Sequence, residues 1–181
     1  MRRILIFFLI FVLSGCVKTK DISPGLELRQ KMSKGSFSFR AHILADYEDR
    51  IYEFTTDCIW MPDEGLTFTL VAPETISGIH GNVSQTGGKI LFDDQILLFD
   101  GLSQGNITPA IGPWLMMKAI TGGYVRSVCE NPVVISYDDS FQGEVLDLEL
   151  TLNENNLPEN CDIYLNSRRI LSIRIEVVKE V

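Results

Sequence analysis

The side chains suited to chemistry are few and scattered. Beyond an apolar leader, thiols stand at Cys58, Cys129 and Cys161. A thiol serves as a nucleophile, a metal ligand or half of a disulfide, but no CxxC pair and no Cys/His spacing of a zinc site or redox pair occurs. In an exported chain, three thiols suggest one disulfide and one leftover, with three pairings open. Three buried free thiols are the alternative. The two histidines, His42 and His80, are the side chains that titrate nearest neutrality and so the first to consider as general bases. His42 falls on the polar side of an alternating run with no partner to name, and His80 sits in GIHG, where glycines suggest a turn; both read as solvated residues. Asp93-Asp94 and Asp138-Asp139 bring carboxylates together as calcium would require. Each pair stands where a strand should end in a turn, and neither has the spaced oxygen ligands of a calcium loop. No HExxH, GxSxG, Walker loop or dinucleotide fingerprint is present. The expectation is a protein with no catalytic residue, no cofactor and no metal.

A fourth cysteine has a different setting. Arg2 and Arg3 precede ten uninterrupted apolar residues, 4–13, and Leu13-Ser14-Gly15-Cys16 follows. A positive start, a short apolar core and small residues at its end have the shape of a secretory signal peptide. Ten helical residues rise about 15 Å, half of the roughly 30 Å hydrocarbon core, so a permanent membrane span is disfavoured. The sequence LSGC is similar to a bacterial lipobox. That resemblance implies cleavage before Cys16, a diacylglyceryl group on its sulfur and further N-acylation, which together give the two or three chains needed for a stable anchor. The expected organisation is a lipoprotein signal peptide at 1–15, an acylated cysteine with a basic leash and short helix at 16–36, and one β-rich domain at 37–181.

Charge is distributed unevenly along this plan. The formal net charge is −8, and loss of Arg2 and Arg3 takes it to −10. Residues 17–36 carry five basic and two acidic side chains, which leaves −13 on residues 37–181. A basic leash beside the anchor suits anionic headgroups, whereas the acidic body is repelled by them and stands off the bilayer. The same sign argues against nucleic acid, whose binding rests on Lys and Arg at phosphates. Simple solubility accounts for the acidity equally well.

The elements that position these residues show in the periodicity. GLELRQKMS, residues 25–33, suits a short helix with Leu28 and Met32 on one face. From Phe37 the period becomes two: Phe37, Phe39, Ala41, Ile43, Ala45 and Tyr47 share one face, and Tyr52, Phe54, Thr56, Cys58 and Trp60 repeat it after a short gap. Leu66, Phe68, Leu70 and Ala72 continue the pattern to Pro73. A loosened strand is expected within 76–84, then a hairpin of KILF and ILLF around Asp93-Asp94-Gln95, closed at Gly101. Strands follow at 133–137, 144–152, 161–165 and 169–178. The exception is 109–123, with Pro113 suited to a first helical position and Gly122 to a stop. Its interior, Trp114, Leu115, Met116, Met117, Ala119 and Ile120, is apolar nearly all round and belongs against the sheet or in its mouth.

A short helix, alternating strands, a Pro-flanked apolar helix midway and the closing LPENCDIYLNSRRILSIRIEVV at 157–178 resemble the LolA/LolB superfamily of lipoprotein carriers and receptors, with its glycolipid-carrier relatives. The resemblance implies an α+β, mainly β fold: a curved, open antiparallel sheet, or half-barrel, covered by one or two short helices and enclosing a space for acyl chains. It implies no cofactor and no covalent chemistry. On strand parity and this analogy, a hydrophobic ligand would meet Phe39, Tyr52, Phe54, Trp60, Phe68, Trp114 and Met117. The Met116-Met117-Trp114 cluster reads either as a ligand gate or as ordinary packing of helix on sheet. An anchored chain fits a receptor or sensor better than a shuttle. The expected partners are the membrane through Cys16 and either a lipid ligand or a basic envelope protein, with no nucleic acid. The expected location is the outer face of the cytoplasmic membrane, or the outer membrane of a Gram-negative cell, which Val17 after Cys16 would permit.

Overall fold

Wherever apolar and β-branched residues alternate, the chain pairs as antiparallel strands. The computed structural model describes residues 21–48, 50–92, 95–99 and 108–181, without the side chains of 92 and 95–99. The leader, Cys16, the leash to Lys20, Asp93-Asp94 and Gly101 lie outside the described residues. Helix α1 (Ser23–Met32) leads into β1 (Phe37–Asp46), β2 (Ile51–Met61), β3 (Gly65–Ala72), β4 (His80–Ser84), β5 (Gly87–Phe92) and β6 (Gln95–Phe99). Helix α2 (Gly112–Gly122) follows a single 3-10 turn at Pro109–Ile111. The chain then runs through β7 (Tyr124–Cys129), β8 (Val134–Phe141), β9 (Glu144–Leu152), β10 (Pro158–Leu165) and β11 (Arg168–Glu180). Among the described residues no helix is long and apolar enough to cross a membrane.

All eleven strands form one sheet in the order β6-β5-β4-β3-β2-β1-β11-β10-β9-β8-β7. Two meanders are thus joined at the middle by the first and last strands, with Ile43 opposite Ile173, while β6 and β7 stay unpaired to each other and leave the sheet open. Curvature follows from a simple length argument. Helix α2 touches β2 and β3 in one meander and β8 in the other. Six inter-strand steps separate β3 from β8, about 29 Å along the sheet, whereas a helix is only about 10–12 Å across. Only a sheet wrapped around α2 brings both within reach.

The inner face is the one parity selects. Phe37, Phe39, Ala41, Ile43 and Ala45 of β1 are buried, as are Phe54, Cys58 and Trp60 of β2 and Leu146, Leu148, Leu150 and Leu152 of β9. They pack with Leu28 and Met32 of α1 and with Trp114 to Met117 of α2 in one core. One element goes beyond the expectations, and two expectations are corrected. The run YVRSVC forms edge strand β7, unsuspected because only Val125 of it is buried. Asp138-Asp139 does not end a strand: β8 continues through both to Phe141. The three described thiols are free. Cys58 on β2 and Cys161 on β10 lie three strand steps apart, about 14 Å, beyond the roughly 7 Å Cα limit of a disulfide.

Candidate functional site

Helix α2 fills the concavity because its sequence leaves it nowhere else to go. Pro113 starts it, and Gly112 through Met117, Ala119 and Ile120 are all buried. Gly112 permits the seating: a Cβ there would stand 3.1 Å from Ile173 Cδ1 and 3.2 Å from Leu171 Cδ1, both on β11. One charge interrupts the apolar surface. Lys118 Nζ donates to both carboxylate oxygens of Asp139 and to the carbonyl of Ser140, each at 2.7 Å. The two side chains are only 22% and 14% exposed. One turn earlier, Trp114 meets Phe141 edge to face, with ring centroids 5.9 Å apart.

The C-terminal end of α2 is held from above. Arg29 of α1 donates through Nε to the Ile120 carbonyl at 3.1 Å and through Nη2 to the Gly123 carbonyl, groups that a helix end leaves without intrahelical partners. Helix α1 is fastened in turn to β2, since Trp60 Nε1 donates to the Met32 carbonyl at 3.0 Å. The polar bonds of α2 therefore run to β8 and α1. Among the described residues no side-chain hydrogen bond or ion pair links α2 to the β2–β5 meander, although α2 touches β2 and β3.

That weakly fastened side opens as a trough across the mouth of the half-barrel. One part, about 490 Å³, is lined by Ser33, Trp60, Asp63, Gln85, Lys118 and Asp139 among others. The second, about 410 Å³, runs between the β4–β5 turn and Trp114, Lys118 and Phe141. Gln85 and Lys118 belong to both parts. The trough is amphipathic, with tryptophan and phenylalanine below and amides, hydroxyls and carboxylates at the rim.

Of the residues expected to face a ligand, Phe39, Phe54, Trp60, Phe68, Trp114 and Met117 are buried in the core. Tyr52 departs from them. It is 44% exposed, at the start of β2 beyond the part of the sheet that α2 covers, with its ring edge-on to Tyr47 at 6.2 Å. Trp60 and Trp114 alone of the seven also line the trough. The latch residues Lys118, Asp139 and Ser140 were not among the expected set, although a lone lysine in an apolar helix was a signal that a partner must exist.

Several titratable groups elsewhere are engaged in ion pairs and hydrogen bonds. Asp138 and Asp147 share Arg126, at 2.9 and 2.6 Å. On the outer face Arg40 forks onto Asp57, at 2.6 and 2.8 Å, a bond that holds the carboxyl below its ordinary range. His42 finds the partners its sequence did not disclose, Thr55 Oγ1 at 2.9 Å and Glu176 Oε1 at 3.0 Å. His80 is exposed, with Nδ1 3.2 Å from the Gly78 carbonyl. Burial pushes the Cys58 thiol up to about 12 and raises that of Cys161 as well, so neither is a nucleophile at neutral pH. No group of three or more metal-ligating side chains occurs among the described residues.

No protein-family model matches this sequence, and no curated protein matches it. Solved structures do. An uncharacterized conserved protein from Thermus thermophilus is similar at 10% identity, covering 88% of this chain and 86% of that one, with a TM-score of 0.50. A LolA superfamily protein from Nitrosomonas europaea matches at 11% identity over 86% and 92% of the two chains, TM-score 0.48. A putative outer membrane lipoprotein-sorting protein domain from Vibrio parahaemolyticus matches at 8% identity over 88% and 93%, TM-score 0.48. At such identities the likeness is one of fold. An open, curved antiparallel sheet with two short helices, the architecture that resemblance to the LolA/LolB superfamily implied, is the architecture of this chain.

Proposed function

We propose that this chain is a non-enzymatic cell-envelope lipoprotein, anchored through acylated Cys16, that holds a lipid or acyl chain on the inner face of its sheet. The supporting observation is α2. An almost wholly apolar helix occupies the concavity, bonded on one side and merely packed on the other, above an inner face of Phe39, Phe54, Trp60 and Phe68. Displacing its packed side would expose apolar surface to an acyl chain without breaking a hydrogen bond. Leader and lipobox support the anchor, and the basic leash supports a membrane surface as its neighbour.

Native mass spectrometry of the soluble body from Ser23 onward, followed by organic extraction, tests this reading. A stoichiometric extra mass that extracts as lipid is the expected result. A clean apo mass that stays clean after addition of fatty acid and monoacylglycerol refutes it. That outcome favours a second reading, a sensor module that binds a basic envelope protein. The observation behind the second reading is that Trp114, Met116 and Met117 already fill the interior, each at most 4% exposed, while the body is strongly acidic. Its partner binding would weaken as salt rises. On the first reading, exchanging both Trp114 and Met117 for Asp abolishes lipid uptake while the sheet stays folded by circular dichroism. Undiminished uptake by the folded variant would remove α2 from the binding site.

A further inference from the structure

The charge balance of the trough selects among amphiphiles, and the argument rests on the acyl-binding reading above. Among the described residues, Lys118 is the only cationic side chain lining either part of the trough. An ammonium has three N–H donors, and here three acceptors meet them, both oxygens of Asp139 and the Ser140 carbonyl. The Asp139 carboxylate also accepts the Ser140 amide N–H at 2.7 Å. The pair is thus mutually satisfied and largely out of solvent, with no donor left over for a ligand anion. Asp63, exposed on the same rim, adds a second carboxylate, and no further cation among the described residues faces it in the trough. What remains for a ligand head are Ser33, Gln85 and the Ser140 hydroxyl, beside the apolar edges of Trp60 and Trp114.

We propose that the trough binds the uncharged, hydroxyl- or amide-bearing head of an acyl amphiphile and rejects anionic heads, with Asp139 as the residue that sets this selectivity by occupying Lys118. A free carboxylate or phosphate entering the trough meets two carboxylates and an ammonium already spoken for. A glyceryl-type head exchanges water hydrogen bonds for those of Gln85 and the serines at little electrostatic cost. Asn in place of Asp139 keeps the size of the side chain, removes the counter-charge and releases Lys118 to receive an anion.

The test titrates the chain from residue 16, carrying Cys16→Ala so that neither the apolar leader nor an acyl group of its own competes, with monopalmitoylglycerol and with palmitate, below their aggregation limits. Trp60 and Trp114, the two tryptophans of the chain, report through their fluorescence. The wild-type residues at the trough are expected to favour the glyceride by about tenfold or more, the equivalent of one displaced charge contact at a half-buried site. Asp139→Asn, folded by circular dichroism, should narrow that ratio by about tenfold or invert it. Lys118→Gln, which leaves Asp139 uncompensated, should widen it. Equal binding of both amphiphiles, a preference for palmitate, or a ratio that neither variant moves overturns the charge rule alone. Binding of neither amphiphile by any variant overturns the acyl-binding reading and the charge rule with it.

Discussion

Replacing Arg29 by methionine should loosen α2 while leaving the sheet intact. The guanidinium reaches from the last turns of α1 to two carbonyls at the C-terminal end of α2, those of Ile120 and Gly123. Both residues are buried, so their released carbonyls are not simply returned to water. Hydrogen bonds to a charged group contribute about 1.5–3 kcal/mol each, and a half-buried arginine belongs at the lower end, which puts two bonds at about 3–4 kcal/mol. Methionine retains the packing of the arginine stem and has nearly the same helix propensity, so neither effect obscures the loss. In urea, with a slope of about 2 kcal/mol/M, the unfolding midpoint should fall by about 1.5–2 M. Amide hydrogen exchange should accelerate over residues 119–123 before it changes in the central strands. Lys31→Met, on the exposed face of the same helix, is the control and should stay within about 0.5 kcal/mol. A loss below about 0.5 kcal/mol for Arg29→Met, at unchanged slope, would refute the claim that this side chain fastens α2.

Val177 occupies a bulge where the β1–β11 register jumps from Ser38–Lys179 to Arg40–Glu176, and its φ of +49° is unfavourable for a β-branched residue. Because it is 65% exposed, Val177→Gly should raise stability by about 1 kcal/mol; a lower urea midpoint would argue against strain at this position. The Cys58 and Cys161 thiols are held protonated in the fold by burial, above their unfolded value near 9. The unfolded chain therefore sheds protons first as pH rises, and each thiol lowers stability by about 1.4 kcal/mol per pH unit above about pH 9. Thermal unfolding across pH 8–10, below the range in which the burial-raised Tyr47 and Tyr137 add the same effect, should show this decline, and Cys58→Ala with Cys161→Ala should flatten it. Labelling with a water-soluble maleimide should modify Cys129 but neither Cys58 nor Cys161 until denaturant is added, since Cys129 alone of the three is exposed; native labelling of Cys58 would contradict the packing of β2.

Parity carried most of the fold. Phe37 to Ala45 alternate so regularly that the buried face of β1 follows from sequence, and proline and glycine at 113 and 122 bracket α2. Where the signal failed, the reason is local. Edge strand β7 buries one side chain, Val125, so its alternation does not register as a half-buried pattern. Tyr52 obeys the parity of β2 yet lies past the cover that α2 provides, and cover depends on tertiary placement rather than on period. Asp138-Asp139 looked like turn chemistry because aspartate is depleted in strands and favoured in turns. Their compensation, Arg126 and Lys118, comes from residues 12 and 21 positions away, a distance at which sequence pattern carries no pairing information. The trough was illegible for the same reason, since it joins hairpin turns from both meanders.

The pairing of the first strand with the last also fixes an order of events in the life of the chain. The β1–β6 meander is complete before α2, and all of it before β11, so during synthesis β1 has one raw edge until the final strand is delivered. Pairing Phe37 with Glu180 closes a loop of about 140 residues, which costs about 3 kcal/mol more in chain entropy than closing a hairpin of about 5. Such topology folds slowly, and its early half exposes both an apolar face and an unpaired strand while it waits. The closing strand is therefore the keystone of the sheet. A chain that loses β11 is not a trimmed version of this protein but two separate meanders, each with an open flank offered to whatever strand arrives first.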